Sequence, residues 1–397
     1  MTQGASRRFT RLLALGTPLY IAAALLAVYA LLVLYGIVLV HATGDPDEIF
    51  PTGEDLRHLV RVACGVACLA LSLALHWRQY ERWGYAIYLA ALVGLAAVLV
   101  AGVEVRAARR WFDLGIVRFQ VSELAKIALV LALARYLKAT REKESLRTCA
   151  WALVLTLAPA ILIAREPDLG SSLMLPPVFF AMLFCAGGRA RHIAGIVLIG
   201  LLATPILFEV GLTDYQKRRV IGFVSRDAAE LDPDSVVQGE RSTEAIGAGG
   251  VLGKGLGQGD RQLPVRKSDF IFAVVGEETG FAGGALLIGL CALLFFFSLD
   301  IAARANDLFA RLTCVGLGTA MFFQAFTNIA VAMGILPVTG VNLPLVSQGG
   351  SSLLTTSFGI GILVNIAVRP TRSLARPSVP LGDGVPGLGG RGPRIGR

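Results

Sequence analysis

Charge is what this 397-residue chain has least of: 16% of its residues are Asp, Glu, Lys or Arg and 55% are hydrophobic. Water-soluble domains carry about a quarter charged residues, so a soluble globular fold is excluded. Histidine is scarce, and His41, His58, His76 and His192 are scattered beside the ends of apolar runs. No Ser–His–Asp or Cys–His arrangement is legible from that spacing. Cys64, Cys68, Cys149, Cys185, Cys291 and Cys314 form no CxxC pair and lie in or beside apolar runs, so they are expected to be buried thiols. A Walker-type phosphate loop is also missing. The residue five before Gly253 is Ala248, and Gly255 follows Lys254 where Ser or Thr is required. The formal net charge is +9, but no zinc-finger spacing, recognition helix or basic stretch interleaved with aromatics accompanies it, so no nucleic-acid partner is expected.

What is abundant is apolar sequence in runs of about 20 residues, the length that crosses a hydrocarbon core. Such runs lie near 16–40, 57–75, 83–102, 120–137, 148–164, 169–186, 193–211, 270–298, 311–333 and 345–368. The expected fold is all-α, a polytopic membrane protein with about ten transmembrane helices. A large extracytoplasmic loop, 212–269, joins helices 7 and 8. Arg78, Arg82, Lys138, Arg141, Lys143, Arg147, Arg189, Arg191 and Arg304 fall in connections on one side, which the positive-inside rule makes cytoplasmic. Both termini are then cytoplasmic, with residues 1–15 a short tail, 16–368 the membrane domain, and 369–397 a disordered Gly/Pro/Arg-rich tail.

Several polar groups do not follow from topology. Asp269 stands where the long loop meets an apolar segment, and an ionisable group at a membrane boundary is costly unless it is used or paired. Outer segments carry Arg106, Arg109, Arg110, Arg118, Lys217, Arg218, Arg219, Arg226, Arg241, Lys254, Arg261, Arg266 and Lys267. Guanidinium forks match phosphate oxygens, so these cations point to an anionic ligand, unless the long loop simply crossed the membrane regardless of charge. Glu123 and Lys126 are three residues apart on a predicted helix and can neutralise each other. Alternatively, Lys126 faces a water-filled cavity and holds phosphate together with Arg118. Asp168, after Glu166 and Pro167, is placed to cap the next helix. Residues 247–259 hold seven glycines in thirteen positions, suited to close backbone approach to a bulky ligand or to a flexible linker.

The blocks RRWFDLGIVRFQVSELAK, REPDLGSS, AIGAGGVLGKG, SDFIFAVVGEETGF and ILPVTGVNLPLVSQGGSS, in this order over roughly residues 15–370, resemble the SEDS family. That family comprises bacterial cell-wall glycosyltransferases with RodA, FtsW and SpoVE branches, and the wording of the blocks leans toward RodA. The resemblance implies polymerisation of lipid II, an undecaprenyl diphosphate-linked disaccharide peptide, at the outer membrane face. It implies Asp269 as catalytic base and Arg118 and Lys126 as stabilisers of the departing diphosphate. Arg110, Lys267, Ser347, Gly349 and Gly350 fall on the substrate side, while Glu123, Asp168 and Glu277 fall in supporting roles. A class B penicillin-binding protein and other elongation or division proteins are the implied partners. No cofactor is prescribed, although a divalent cation, Mg2+ or Mn2+, is compatible with a diphosphate substrate. The chain departs from the family at Val121 in the usual QPSE, at Gln348 in SYGGSS, and at Val265 and Lys267 before the SDF block. Lys267 replaces a His and would favour ionised Asp269. A lipid II flippase and a non-catalytic scaffold remain as other function classes.

Overall fold

The computed structural model describes residues 2–44, 51–105, 108–113, 118–224, 233–259 and 268–369. Among the described residues, seven helices are long and apolar enough to cross a membrane: α1 (Thr2–Ala42, apolar from Leu19), α2 (Gly53–Ala74), α3 (Trp77–Ala101), α5 (Leu146–Arg165), α11 (Ile271–Arg304), α12 (Leu308–Ala332) and α13 (Gly350–Val368). The other expected spans are α4 (Val121–Ala139), the pair α6 (Leu169–Leu173) and α7 (Leu175–Cys185), and α8 (Ala190–Ile206). α4 carries Glu123, Lys126, Arg135 and Lys138 and is nonetheless buried on nearly every face, which makes it a central helix. Pro176 and Pro177 open α7 and separate it from α6, because proline fits a first helical turn but not a helix interior. No residue of α8 is buried, so its apolar surface faces outward from the bundle. A polytopic, predominantly helical membrane fold is therefore observed, and α1 extends over most of the segment expected to be an N-terminal tail.

Between α7 and α11 the chain forms α9 (Asp214–Val224) and α10 (Pro233–Ala248), both in the long loop. One element was not anticipated from helical patterning. Strands β1 (Val103–Val105), β2 (Ala108–Asp113) and β3 (Arg118–Gln120) make a small antiparallel sheet with Phe112 opposite Phe119 and Asp113 opposite Arg118. Its aromatic and β-branched residues suit a pleated surface, but strands this short depend on their partners more than on local preference.

β2 straps the corner between α5 and α6. Arg110 donates from Nε to the Glu166 carbonyl at 3.0 Å and from Nη2 to the Pro167 carbonyl. Asp168 caps α6, accepting from Ser171 N at 3.2 Å and Ser171 Oγ at 2.8 Å, and it also accepts from Gln120 Nε2 at 2.9 Å. The expected capping role of Asp168 is thus present in the geometry. Beside it, Glu166 is buried and both carboxyl oxygens lack a hydrogen-bond donor. Burial, followed by the nearby Asp168 charge, pushes its pKa up to about 8, with Arg110 opposing the shift.

The glycine-rich stretch closes a break in α11, where Gly280 has φ 67 and ψ −164. Such a break leaves backbone groups without helical partners, and in an apolar medium each costs several kcal/mol. The loop supplies those partners. Lys254 N and Gly255 N donate to the carbonyls of Glu277 and Glu278 at 2.9 and 3.0 Å. In return, Phe281 N and Ala282 N donate to the carbonyls of Gly250 and Val251 at 2.9 and 3.1 Å. Side chains would prevent this approach: a Cβ on Gly249 would lie 1.9 Å from the Gly276 carbonyl oxygen. Lys254 Nζ completes the seal by pairing with the fully buried Glu277 at 2.8 Å. The glycines of 249–255 therefore approach α11, and the ligand and free-linker expectations for this part of the loop give way to a structural seam.

Two outcomes test these features. Gly253 has φ +82, and a Cβ there would meet the Glu278 carbonyl at 2.2 Å. Gly253→Ala should cost about 1–3 kcal/mol and lower the thermal midpoint in detergent, whereas Gly247→Ala, in open space, should not. Equal midpoints would refute the seam. Glu166 is held protonated in the fold but ionises when unfolded, so its contribution is complete below pH about 4.5 and is lost as pH rises toward about 8. Glu166→Gln should raise the thermal midpoint more at pH 8 than at pH 5, and a pH-independent change would refute the buried-acid assignment.

Candidate functional site

The N-terminus of α13 gathers the expected site segments. Gly349 is its cap residue, with no side-chain cap, and Gly350 is its first helical residue. Ser351 Oγ donates to the Arg118 carbonyl at 2.7 Å and accepts from Gln120 N at 2.9 Å, fixing β3 against the helix. The Arg118 side chain is exposed above this junction. Ser347 Oγ donates to the Ser268 carbonyl at 2.7 Å and accepts from Leu343 N at 2.9 Å. Asp269 is half-buried in the turn between Ser268 and α11. Its Oδ2 lies beside Gly340, at 3.9 Å from where a Cβ would stand. Asp269, Arg118, Ser347, Gly349 and Gly350, widely separated in sequence, thus lie on segments joined by direct hydrogen bonds.

Lys126 takes a different position. It is buried, and its Nζ lies 2.8 Å from Glu123 Oε1 and 2.7 Å from Gln324 Oε1. Glu123 also accepts from Thr355 Oγ1 at 3.3 Å. The cavity beside this pair is about 20 Å3, room for about one water. This is the geometry of charge neutralisation within the bundle, not of an ammonium open to a phosphate group.

Other cations of the segments expected to lie outside are likewise engaged by the protein itself. Arg110 holds two carbonyls, Lys217 reaches Glu209, Arg219 donates to the Val338 carbonyl at 3.1 Å, and Lys254 pairs with Glu277. Arg106, Arg226, Arg261, Arg266 and Lys267 lie outside the described residues, as does the expected Lys267–Asp269 relationship.

Sequence reasoning missed three residues that organise this region. Arg61, on α2, donates to the Gln348 carbonyl at 3.2 Å and steadies the loop before α13. Gln324 and Asn328, on α12, reach the 339–347 loop and the Asp269 turn. Gln324 Nε2 donates to the Asn342 carbonyl at 3.1 Å and Ser352 Oγ at 2.9 Å. Asn328 Nδ2 donates to the Asp269 and Val341 carbonyls at 2.9 and 2.7 Å. Two amides one helical turn apart in an otherwise apolar span were the available signal.

Known proteins resemble this chain in sequence and in overall fold. A family model described as "Cell cycle protein", covering FtsW, RodA and SpoVE, matches residues 7–372. The peptidoglycan glycosyltransferase MrdB of Escherichia coli K12 is 39% identical over 351 residues, covering 86% of this chain and 92% of the relative. A probable peptidoglycan glycosyltransferase FtsW of Geobacter sulfurreducens is 35% identical, covering 79% and 85%. A solved chain from work on coordination of polymerization and crosslinking by a peptidoglycan synthase complex superposes with a TM-score of 0.72 at 33% identity, covering 87% of this chain and 96% of that one. The crystal structure of Thermus thermophilus RodA gives a TM-score of 0.65 at 32% identity, covering 87% and 95%. On the match along nearly its whole length and on these relatives, the chain belongs to the FtsW/RodA/SpoVE family, the SEDS proteins.

Proposed function

We propose that this protein is a peptidoglycan glycosyltransferase that polymerises lipid II at the extracytoplasmic face of the bacterial cytoplasmic membrane. The observation that carries the reading is Asp269, a carboxylate held at the junction of the long loop and the bundle beside the N-terminus of α13. The names of the MrdB and FtsW relatives support the same activity. In the proposed step the acceptor sugar's 4-hydroxyl oxygen attacks the donor's anomeric carbon while Asp269 takes its proton. The anomeric C–O bond to diphosphate breaks, and the leaving group departs with the electron pair. Single displacement inverts an α-linked donor to a β-1,4 product.

Diphosphate charge would be met by the exposed Arg118 and by the first turn of α13, whose backbone N–H groups and dipole favour an anion. Ser347, Gly349 and Gly350 shape that turn. Lys126 would act from below, by keeping Glu123 neutralised and Gln324 in place. No group of three or more His, Cys, Asp or Glu suited to a metal is present among the described residues, and Asp168 and Glu123 are already occupied by donors. A divalent cation would therefore be carried mainly by the substrate's own phosphate oxygens. The charge bias of the loops supports cytoplasmic termini and an outward-facing site. The peptidoglycan synthase complex matched in structure supports a class B penicillin-binding protein as partner, within an elongation or division assembly.

Asp269→Asn should remain folded and bind the partner but lose about 10²–10⁴-fold in glycan synthesis from purified lipid II, because Asn cannot accept the proton. Turnover within threefold of the unmodified protein would remove the base assignment. Lys126→Met alone should destabilise the bundle and abolish activity by leaving Glu123 unpaired. Lys126→Met with Glu123→Gln should restore thermal stability and most activity, because a buried pair can be replaced by neutral groups more readily than broken. A stable but inactive double variant would instead place Lys126 on the substrate.

A further inference from the structure

We propose that Asn328 is a positioning residue for Asp269, acting through the main chain; this rests on the reading of Asp269 as the base. Phe270 is the cap residue of α11, and Ala273 N donates to its carbonyl at 3.0 Å. The carbonyls of Ser268 and Asp269 precede this start, and both are taken by side chains from elsewhere in the fold. Ser347 Oγ holds the first at 2.7 Å, and Asn328 Nδ2 holds the second at 2.9 Å. The direction in which Asp269 leaves the backbone therefore depends on donors supplied by α12 and the 339–347 loop.

Asn328 sets a second boundary with the same group. Its other amide hydrogen goes to the Val341 carbonyl at 2.7 Å, next to Gly340, which lines the Asp269 carboxylate. Gly340 has φ +73, a conformation that favours glycine, so the surface beside the carboxylate is bare backbone at this position. One buried amide thus fixes both the carboxylate's attachment and the surface beside it. Gln324, one turn earlier, ties the neighbouring Asn342 carbonyl to the Lys126 pair, so the Asn328 side chain stands on an anchored face of α12. Misplacement of a reacting group by about 1 Å can cost on the order of 10²-fold in rate, which sets the scale for a residue of this kind.

The test is a double-mutant cycle measured as initial rate of glycan synthesis from purified lipid II by the full chain with its transpeptidase partner. Asn328→Leu keeps the number and branching of the heavy atoms and removes both donors; Asp269→Glu moves the carboxylate by one methylene. Each should lower kcat about 10–100-fold, with KM for lipid II within about threefold. If Asn328 acts by placing Asp269, the double variant should be no more than about threefold slower than the slower single variant. A merely structural role would reduce the active fraction in either background, and the two losses would multiply. Multiplying losses, or full activity of Asn328→Leu, would overturn the proposal. If Asn328→Leu yields no folded protein, Asn328→Ala, which removes the same two donors without adding bulk, completes the same cycle. Activity of Asp269→Asn separates the two claims: an active Asp269→Asn defeats the base reading itself, whereas an inactive one with multiplying losses defeats only the positioning role.

Discussion

The buried ion pair between Lys126 and Glu123 is the interaction on which the arrangement of the central helices depends. Taking two charges out of water is costly, and the cost is offset only when each charge has good partners. Here the ammonium is shared between Glu123 on α4 and Gln324 on α12, while Thr355 on α13 also reaches Glu123. Three helices that pack largely through apolar side chains thereby acquire a defined rotation and height relative to one another. Gln324 then carries that registration to the Asn342 carbonyl and Ser352, at the end of the bundle where Asp269 lies.

A second constraint acts at the same end. α11 cannot remain broken at Gly280 in apolar surroundings unless its freed backbone groups find partners, and the glycine-rich loop provides them. This explains why the loop contains glycine where a side chain would collide with main-chain atoms, notably at Gly249 and Gly253. The seam fixes the chain leaving α10 against residues 277–282 of α11. The Asp269 turn is held separately, by Ser347 and Asn328, at the start of that same helix.

Much of this was legible in the sequence, for identifiable reasons. Membrane-length apolar runs mark spans irrespective of tertiary detail, and the i, i+3 spacing of Glu123 and Lys126 brings their side chains together on any regular helix. Asp168 before a helical segment carries its own capping chemistry. The sheet at 103–120 was not legible, because its strands are too short to be specified without their neighbours. The roles of Arg110 and Arg219 were hidden for another reason: their acceptors are carbonyl oxygens, which no side-chain pattern records. Gln324 and Asn328 escaped notice because a neutral amide barely alters the hydropathy of a span, although its hydrogen-bonding capacity can organise an entire turn.

The division between charged and neutral groups has a consequence for the proposed chemistry. A lysine or arginine could bond the Asp269 carbonyl as well as Asn328 does, but its charge would favour the ionised carboxylate and make it a weaker base. An amide supplies two directional donors without net charge. It fixes the main chain while leaving the proton affinity of the side chain to other surroundings. In the same region Lys126 is neutralised by Glu123, Lys254 by Glu277, and Arg110 is turned onto backbone carbonyls. The fold thus uses charge to register helices and neutral donors, Ser347 and Asn328, to hold the turn that carries the carboxylate.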